Sequence, residues 1–231
     1  MFEPRVNPDN PEPRAACALL LDTSASMGGR PIAELNAGLQ VFADDIKENT
    51  LARKRAEVCV VTFGGRAQRV SEFQEAQHFQ APMLTAGGAT PLAEAILLGL
   101  SEIEQQKNAY KQNGLEYFRP WMVIMSDGTP TDSDSTIRQA VDALRAAQAR
   151  KAITVFPIGV GDEADMAFLS TLSTARPAAA MRDVKSFAKF FEWLSVSMAQ
   201  VSVSNTQVSS DAGLEQSVQV ALPPTDEWRS A

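Results

Sequence analysis

The chain has little histidine, little cysteine and no excess of positive charge, and each shortage closes off a class of function. Its 231 residues include one histidine, His78, and two cysteines, Cys17 and Cys59. A zinc site would have to be completed by several carboxylates, so zinc is set aside. Both cysteines sit inside apolar runs and read as buried reduced thiols. A disulfide framework needs more cysteines in a shorter secreted chain. Lys and Arg number 21 against 28 Asp and Glu, for a net charge of −7, which argues against a nucleic-acid partner, because phosphate binding needs clustered bases. The one short basic run, Arg53-Lys54-Arg55, reads as the solvated end of a helix.

Long apolar runs are missing too. None approaches the ~18 residues of a membrane helix. Residues 15–21 form a short run closed by Asp22 rather than by a small-residue cleavage site, so they read as a buried strand and not as a signal peptide. The expectation is a soluble, cytoplasmic protein without a membrane partner. There is no Walker-type glycine loop and no Gly-x-Ser-x-Gly elbow, and His78 reads as a surface residue rather than a catalytic base.

What is present is an ordinary globular composition, 45% apolar, in a length that suits one α/β domain with tails. Residues 1–14, with Pro4, Pro8, Pro11 and Pro13, read as an extended, proline-stiffened arm. Residues 15–199 read as the domain. Residues 200–231 form a Ser/Thr-rich tail with an alternating stretch at 217–222 before Pro223-Pro224. A loosely packed tail, an added hairpin and a phosphorylated segment all remain open for it.

Within the domain, buried strands alternate with amphipathic helices. Strands are expected at 15–21, 58–63, 121–125 and 153–158, with a partly polar edge strand at 68–73. Helical spacing places Ile32, Leu35, Leu39, Phe42 and Ile46 together after Pro31, and Leu92, Ile96, Leu100 and Ile103 together after Thr90-Pro91. It does the same for Ile137, Val141 and Leu144 after Ser133 or Asp134, and for Phe187, Phe190, Phe191, Leu194 and Met198 at the end. Asp165 is placed to cap a short helix carrying Phe168, Leu169 and Leu172. This alternation specifies a doubly wound, mostly parallel α/β sheet with helices on both faces. Ligands in such sheets bind beyond the carboxyl ends of the strands, so the loops there are where chemistry should lie.

Three of those loops present hard oxygen ligands. The first is Asp22-Thr23-Ser24-Ala25-Ser26-Met27-Gly28-Gly29, in which a carboxylate and two hydroxyls at alternate positions converge if the loop curls, with Gly28 and Gly29 relaxing the backbone. The second, Gly87-Gly88-Ala89-Thr90-Pro91, delivers a threonine hydroxyl at a helix start. The third is Ser126-Asp127-Gly128, an aspartate at a strand end followed by a turn. Taken singly, Ser24, Ser26 and Thr90 read as helix caps and Asp127-Gly128 as a common turn. Together and in this order, they read as one site.

Oxygen-only ligation selects Mg²⁺, Mn²⁺ or Ca²⁺ over softer-ligand metals, with Mg²⁺ expected first. One inner carboxylate with neutral hydroxyls leaves a divalent ion under-neutralised, so it attracts a further anion. If Asp127 stands behind a water, that anion comes from a partner. If Asp127 binds directly, the ion is nearly neutral and a poorer acceptor.

Asp22-x-Ser24-x-Ser26, the glycine-preceded Thr90 and Asp127-Gly128 resemble the metal-ion-dependent adhesion site of von Willebrand factor A domains, over roughly residues 15–199. The run Leu19-Leu20-Leu21-Asp22-Thr23-Ser24-Ala25-Ser26-Met27 looks most like the TerY group of intracellular bacterial members linked to tellurite resistance. Ala89 and Pro91 around Thr90 are also similar to the A domains of magnesium chelatase and related ATPase-associated proteins. The resemblance implies a six-stranded sheet, with Asp22, Ser24 and Ser26 as metal ligands. Thr90 would join them directly or through water, and Asp127 through water.

It also implies a non-enzymatic module that binds a partner's Asp or Glu through loops around Gly28, Gly88 and Gly128, with a Ser/Thr kinase and a protein phosphatase as partners in a stress response. The competing readings are a metal-dependent phosphatase or hydrolase and an A-domain subunit of a chelatase-like complex. Against the hydrolase, Ser24 stands where a haloacid-dehalogenase pattern needs a second aspartate.

Overall fold

The computed structural model describes residues 6–7, 9–181 and 186–203. The Ser/Thr-rich tail expected at 200–231 lies outside the described residues beyond Val203. Strands β1 (Ala15–Asp22), β2 (Ala56–Gly64), β3 (Arg66–Glu75), β4 (Trp121–Ser126), β5 (Thr154–Val160) and β6 (Ala179–Met181) form one sheet in the order β3-β2-β1-β4-β5-β6. All pairings are parallel except β2 with β3, a hairpin. Apolar residues on successive positions of β1 explain the two-sided burial. Cys17, Leu19 and Leu21 face one core, while Ala16, Ala18 and Leu20 face the other.

Helices α1 (Arg30–Glu48), the short α2 (Ala52–Arg55) and α6 (Ser186–Val203) cover the first face. There Phe42, Phe187, Phe190 and Phe191 are fully buried. Helices α3 (Leu92–Gln112), α4 (Asp134–Ala149) and α5 (Met166–Thr171) cover the second, around Leu92, Ile96, Leu144 and Leu169. Of the two starts expected for α4, Ser133 is the cap, its Oγ accepting from Thr136 N at 3.2 Å, and Asp165 caps α5 as expected, its Oδ1 accepting from Phe168 N at 2.9 Å. Arg53 and Lys54 are exposed on α2, Cys17 and Cys59 are free buried thiols, and His78 is exposed in a turn after β3. Among the described residues no helix is long and apolar enough to cross a membrane.

The proline-rich segment is pinned rather than loose from Asn7 onward. Arg14, fully buried, donates through Nη2 to the carbonyls of Asn7 at 2.8 Å and Asn10 at 2.9 Å, and through Nη1 to that of Glu12. Asn10 Nδ2 reaches Glu75 Oε1 at 2.9 Å, and Arg55 pairs with Glu12 at 2.6 Å. This strap closes the end of the sheet where the parallel strands begin.

Candidate metal centre

The strand order reverses between β1 and β4, the position at which a doubly wound sheet opens a crevice above its carboxyl edge. Leu21 is in register with Met125, so the next residues, Asp22 and Ser126, meet at that edge. Ser126 Oγ donates to Asp22 Oδ2 at 2.6 Å, and Ser24 N donates to Asp22 Oδ1 at 2.8 Å. The Ser24 hydroxyl and the Asp127 backbone N–H also act on this carboxylate, which is thereby fixed in place. Ser24 and Ser26 flank a single 3-10 turn, Ala25–Met27, which curls the loop so that their Oγ atoms lie 3.0 Å apart. Ser26 Oγ donates to Asp127 Oδ1 at 2.9 Å, and its proton is then committed. The Ser24 hydroxyl thus lies between the Asp22 carboxylate and Ser26 Oγ and links the two.

Asp22, Ser24, Ser26 and Asp127 are thus joined in one hydrogen-bonded chain across two loops. Thr90 comes in from a third. It is buried, its hydroxyl makes no hydrogen bond to a described residue, and Gly128 lies alongside, with a Cβ there falling 4.0 Å from Thr90 Oγ1. Backbone contacts lock the three loops together. Ala25 N donates to Gly88 O at 3.0 Å, Gly87 N to Thr23 O at 2.8 Å, and Gly65 N to Ala89 O at 2.8 Å.

Glycine is required where these segments touch. Gly88 has φ +79° and a Cβ on it would lie 2.5 Å from Gly65 Cα; a Cβ on Gly64 would lie 2.2 Å from Thr23 O. In the first loop the positive φ belongs to Gly29, at +78°, whereas Gly28 has φ −59°, which any residue adopts. The relaxation expected of both glycines falls on Gly29 alone. Gly28 and Gly88 are exposed and Gly128 half-buried, so the loops expected to face a partner do reach the surface around the oxygen cluster.

Three participants went unread in the sequence. Ser126 fixes Asp22 from the last position of β4. Thr131 Oγ1 accepts from Thr90 N and Thr131 N donates to Thr90 O, both at 3.0 Å. Asp132 accepts from Ala93 N and Glu94 N, each at 3.0 Å, and so caps α3 from a different loop. The loop bearing Asp127 therefore also holds the helix start bearing Thr90.

The electrostatics burden both aspartates. Burial raises the pKa of Asp22, against hydrogen bonds from Ser126 and Ser24 that lower it. Burial likewise raises Asp127, and repulsion from Asp22 adds to it, while the bond from Ser26 opposes. No Lys or Arg pairs with either aspartate among the described residues. Nor do the described residues contain a cluster of three His, Cys, Asp or Glu, so any ion here must rely on hydroxyl oxygens as well as carboxylates. The donor set fits a hard divalent ion.

The family model of the von Willebrand factor type A domain matches residues 17–212. The chain belongs to the von Willebrand factor type A family. No curated protein sequence matches it. Among solved structures, a von Willebrand factor type A protein from Catenulispora acidiphila is 14% identical with a TM-score of 0.63, over 81% of this chain and 43% of that one. The vWF domain of the type V pili tip protein Mfa5 from Porphyromonas gingivalis is 12% identical with a TM-score of 0.60, over 86% of this chain and 99% of that one. Proximal thread matrix protein 1 from the mussel byssus, solved with a zinc-occupied MIDAS motif, is 14% identical with a TM-score of 0.52, over 81% and 48%. At these identities the likeness is one of fold, and this chain spans less than half the length of the Catenulispora and mussel proteins. The von Willebrand factor type A fold accounts for the six-stranded sheet and for the loops at its carboxyl edge.

Proposed function

We propose that this chain is a divalent-metal-dependent protein-binding module whose working unit is residues 15–199. In this reading Asp22, Ser24, Ser26 and Thr90 hold the ion, and Asp127 steadies it from behind Ser26. The observation that carries the reading is the convergence, at the switch point of the sheet, of two aspartates raised by burial and three hydroxyls, with no basic side chain among the described residues paired to either aspartate. A divalent cation held there would supply the positive charge that a partner's carboxylate oxygen could meet.

The chain's own residues do the rest. Ser126 and Ser24 orient Asp22, Ser26 tethers Asp127, and Thr131 with Asp132 hold Thr90 at the rim. Mg²⁺ suits this oxygen set first, with Mn²⁺ and Ca²⁺ next. The mussel protein carries zinc in its MIDAS motif, so zinc belongs in the test.

The finer reading is an intracellular, cytoplasmic bacterial adaptor working with a Ser/Thr kinase and a protein phosphatase in a tellurite or stress response. It is supported by the TerY-like spelling of residues 19–27 alone. Binding rather than catalysis is proposed for this chain.

The test has two arms. Thermal unfolding in EDTA and with Mg²⁺, Mn²⁺, Ca²⁺ or Zn²⁺ should show a metal-dependent gain that Asp22→Ala abolishes, since a ligand that binds only the native state stabilises it. Pull-downs with a candidate kinase and phosphatase should give capture that EDTA and Asp22→Ala both remove. Capture surviving both would end the metal-bridge reading.

A further inference from the structure

Beside the oxygen cluster lies a second recess that the metal reading leaves unused. It is a cleft of about 240 Å³ between the ends of β2 and β3 and the segment 83–87, and its wall includes Thr23, the chain neighbour of both Asp22 and Ser24. None of the ten residues lining it is charged. Thr23 and Thr62 are buried, 6% and 3% exposed, and neither hydroxyl makes a hydrogen bond to a described residue. Gln68, in register with Thr62 across the hairpin, accepts from Arg66 Nε at 3.0 Å through its Oε1, so its amide N–H groups remain to donate. Met83, 83% exposed, stands at the rim.

We propose that this cleft receives a neutral hydrogen-bonding side chain, Ser, Thr, Asn or Gln, standing next to or two residues from the acidic residue that the metal site captures on the same partner segment. The inference rests on the metal-binding reading above and says what the partner must carry besides its carboxylate.

Three arguments select that chemistry. A charged side chain entering an uncharged, recessed wall would lose its hydration without a counter-charge. An apolar one would bury the Thr23 and Thr62 hydroxyls unpaired, the costly half of the hydrogen-bond asymmetry. A hydroxyl or amide group pairs with both and with Gln68. The volume admits such a side chain together with water, and it falls short of the ~300 Å³ at which small-molecule sites begin. Reach fits as well. Thr23 follows Asp22 directly, and an extended partner advances about 3.3 Å per residue, so a near neighbour of the captured acidic residue is the one proposed to enter the cleft. Met83 is placed to cover the aliphatic part of the inserted group.

The experiment selects a displayed library of short random peptides containing one fixed aspartate against the full chain in Mg²⁺, then repeats it with Thr62→Val, with Gln68→Leu and with Asp22→Ala. Thr62→Val is nearly isosteric, and unfolding curves of both cleft variants confirm that they fold. The expected result is that wild type enriches Ser, Thr, Asn or Gln at one or two positions from the aspartate. Replacing that residue by Val should weaken binding about tenfold, and the preference should fade in Thr62→Val and Gln68→Leu while EDTA-sensitive dependence on the aspartate persists in both. Wild-type selection of aspartate with no neighbouring preference, or a preference unchanged in both cleft variants, overturns the cleft proposal and leaves the metal reading standing. Binding indifferent to EDTA and to Asp22→Ala overturns both.

Discussion

At the scale of single residues the site is a charge imbalance held in place by hydrogen bonds. Asp22 and Asp127 repel one another without a basic neighbour among the described residues, and burial has raised both pKa values. Removing one charge should therefore relieve the metal-free protein while spoiling its response to metal. Asp127→Asn is expected to unfold in EDTA at or above the wild-type temperature. In Mg²⁺ at a hundredfold excess over Kd, wild type should gain about 2.7 kcal/mol and the variant less. Thermal unfolding of both proteins in both buffers checks this, and a variant weaker in EDTA with the full Mg²⁺ gain would refute it. Gly88 makes a second residue-scale case. Alanine there meets both a positive φ of +79° and a Cβ 2.5 Å from Gly65 Cα, so Gly88→Ala should cost about 1–3 kcal/mol in urea unfolding and push the Thr90 loop off Gly65. The proposed ligand residues could be singled out in the sequence because they stand at a strand end, at a helix start or in the short loop that follows β1. Thr131 and Asp132 were not, because their partners are contributed by the Thr90 loop and the start of α3, and Ser133 beside them is the better local cap.

At the scale of elements, what decides the site is which helix start is tied to which loop. The cap of α3 comes from Asp132, 38 to 39 residues away in sequence. Asp132→Ala should thus act twice, lowering stability by about 1 kcal/mol and weakening metal binding by freeing the segment that presents Thr90. Asp132→Asn, which keeps one acceptor oxygen, should fall between. Unfolding in EDTA reads the first effect and a metal titration reads the second; a loss of stability with unaltered metal affinity would show that the cap does not position Thr90. The long elements were readable from periodicity, as was the cap at Asp165. Two were not. β6 is three residues, Ala179–Met181, in an alanine-rich stretch with no period to detect, so the sixth strand was implied by the family resemblance and not by its own residues. α3 continues past Ile103 to Gln112 because Gln106 and Tyr110 turn inward to hydrogen-bond Glu57, a polar burial that apolar spacing does not register. β3 runs longer than its partly polar sequence suggests because Gly64-Gly65 folds it back on β2, with Gly65 at φ +72°.

At the scale of the whole molecule the sheet has two polar ends with opposite chemistry. The carboxyl end gathers the oxygens of Asp22, Ser24, Ser26 and Asp127 with no paired basic side chain among the described residues. The other end, where the strap lies, supplies its own cation: Arg14 Nε sits 3.1 Å from Glu57 Oε1, with both side chains buried. That approach is Coulombic, because neither atom makes an aligned hydrogen bond. Glu57 Oε2 instead accepts from Tyr110 Oη at 2.5 Å and Gln106 Nε2 at 2.6 Å. Burial dominates the balance and pushes the Glu57 carboxyl up to about 7, against the lowering effects of Tyr110, Arg14 and Gln106. The sign of the pH effect follows from linkage. Between the unfolded value, 4.5, and about 7 the folded chain keeps a proton that the unfolded chain has released. This contribution to stability is therefore fully present below 4.5 and is lost as pH rises through about 7. Glu57→Gln keeps a hydrogen-bonding group in place and removes the titration. The difference in unfolding free energy between wild type and Glu57→Gln should accordingly drift against wild type from pH 4.5 to 7 and level off above it, with a slope of at most about 1.4 kcal/mol per pH unit. Other titrating groups cancel in that difference, since both proteins carry them, and urea unfolding across the pH series reads it directly. A flat difference would mean that Glu57 stays ionised against Arg14 throughout. The strap would then be held by an ion pair that pH leaves intact, and the two ends of the sheet would differ only in where their cation comes from.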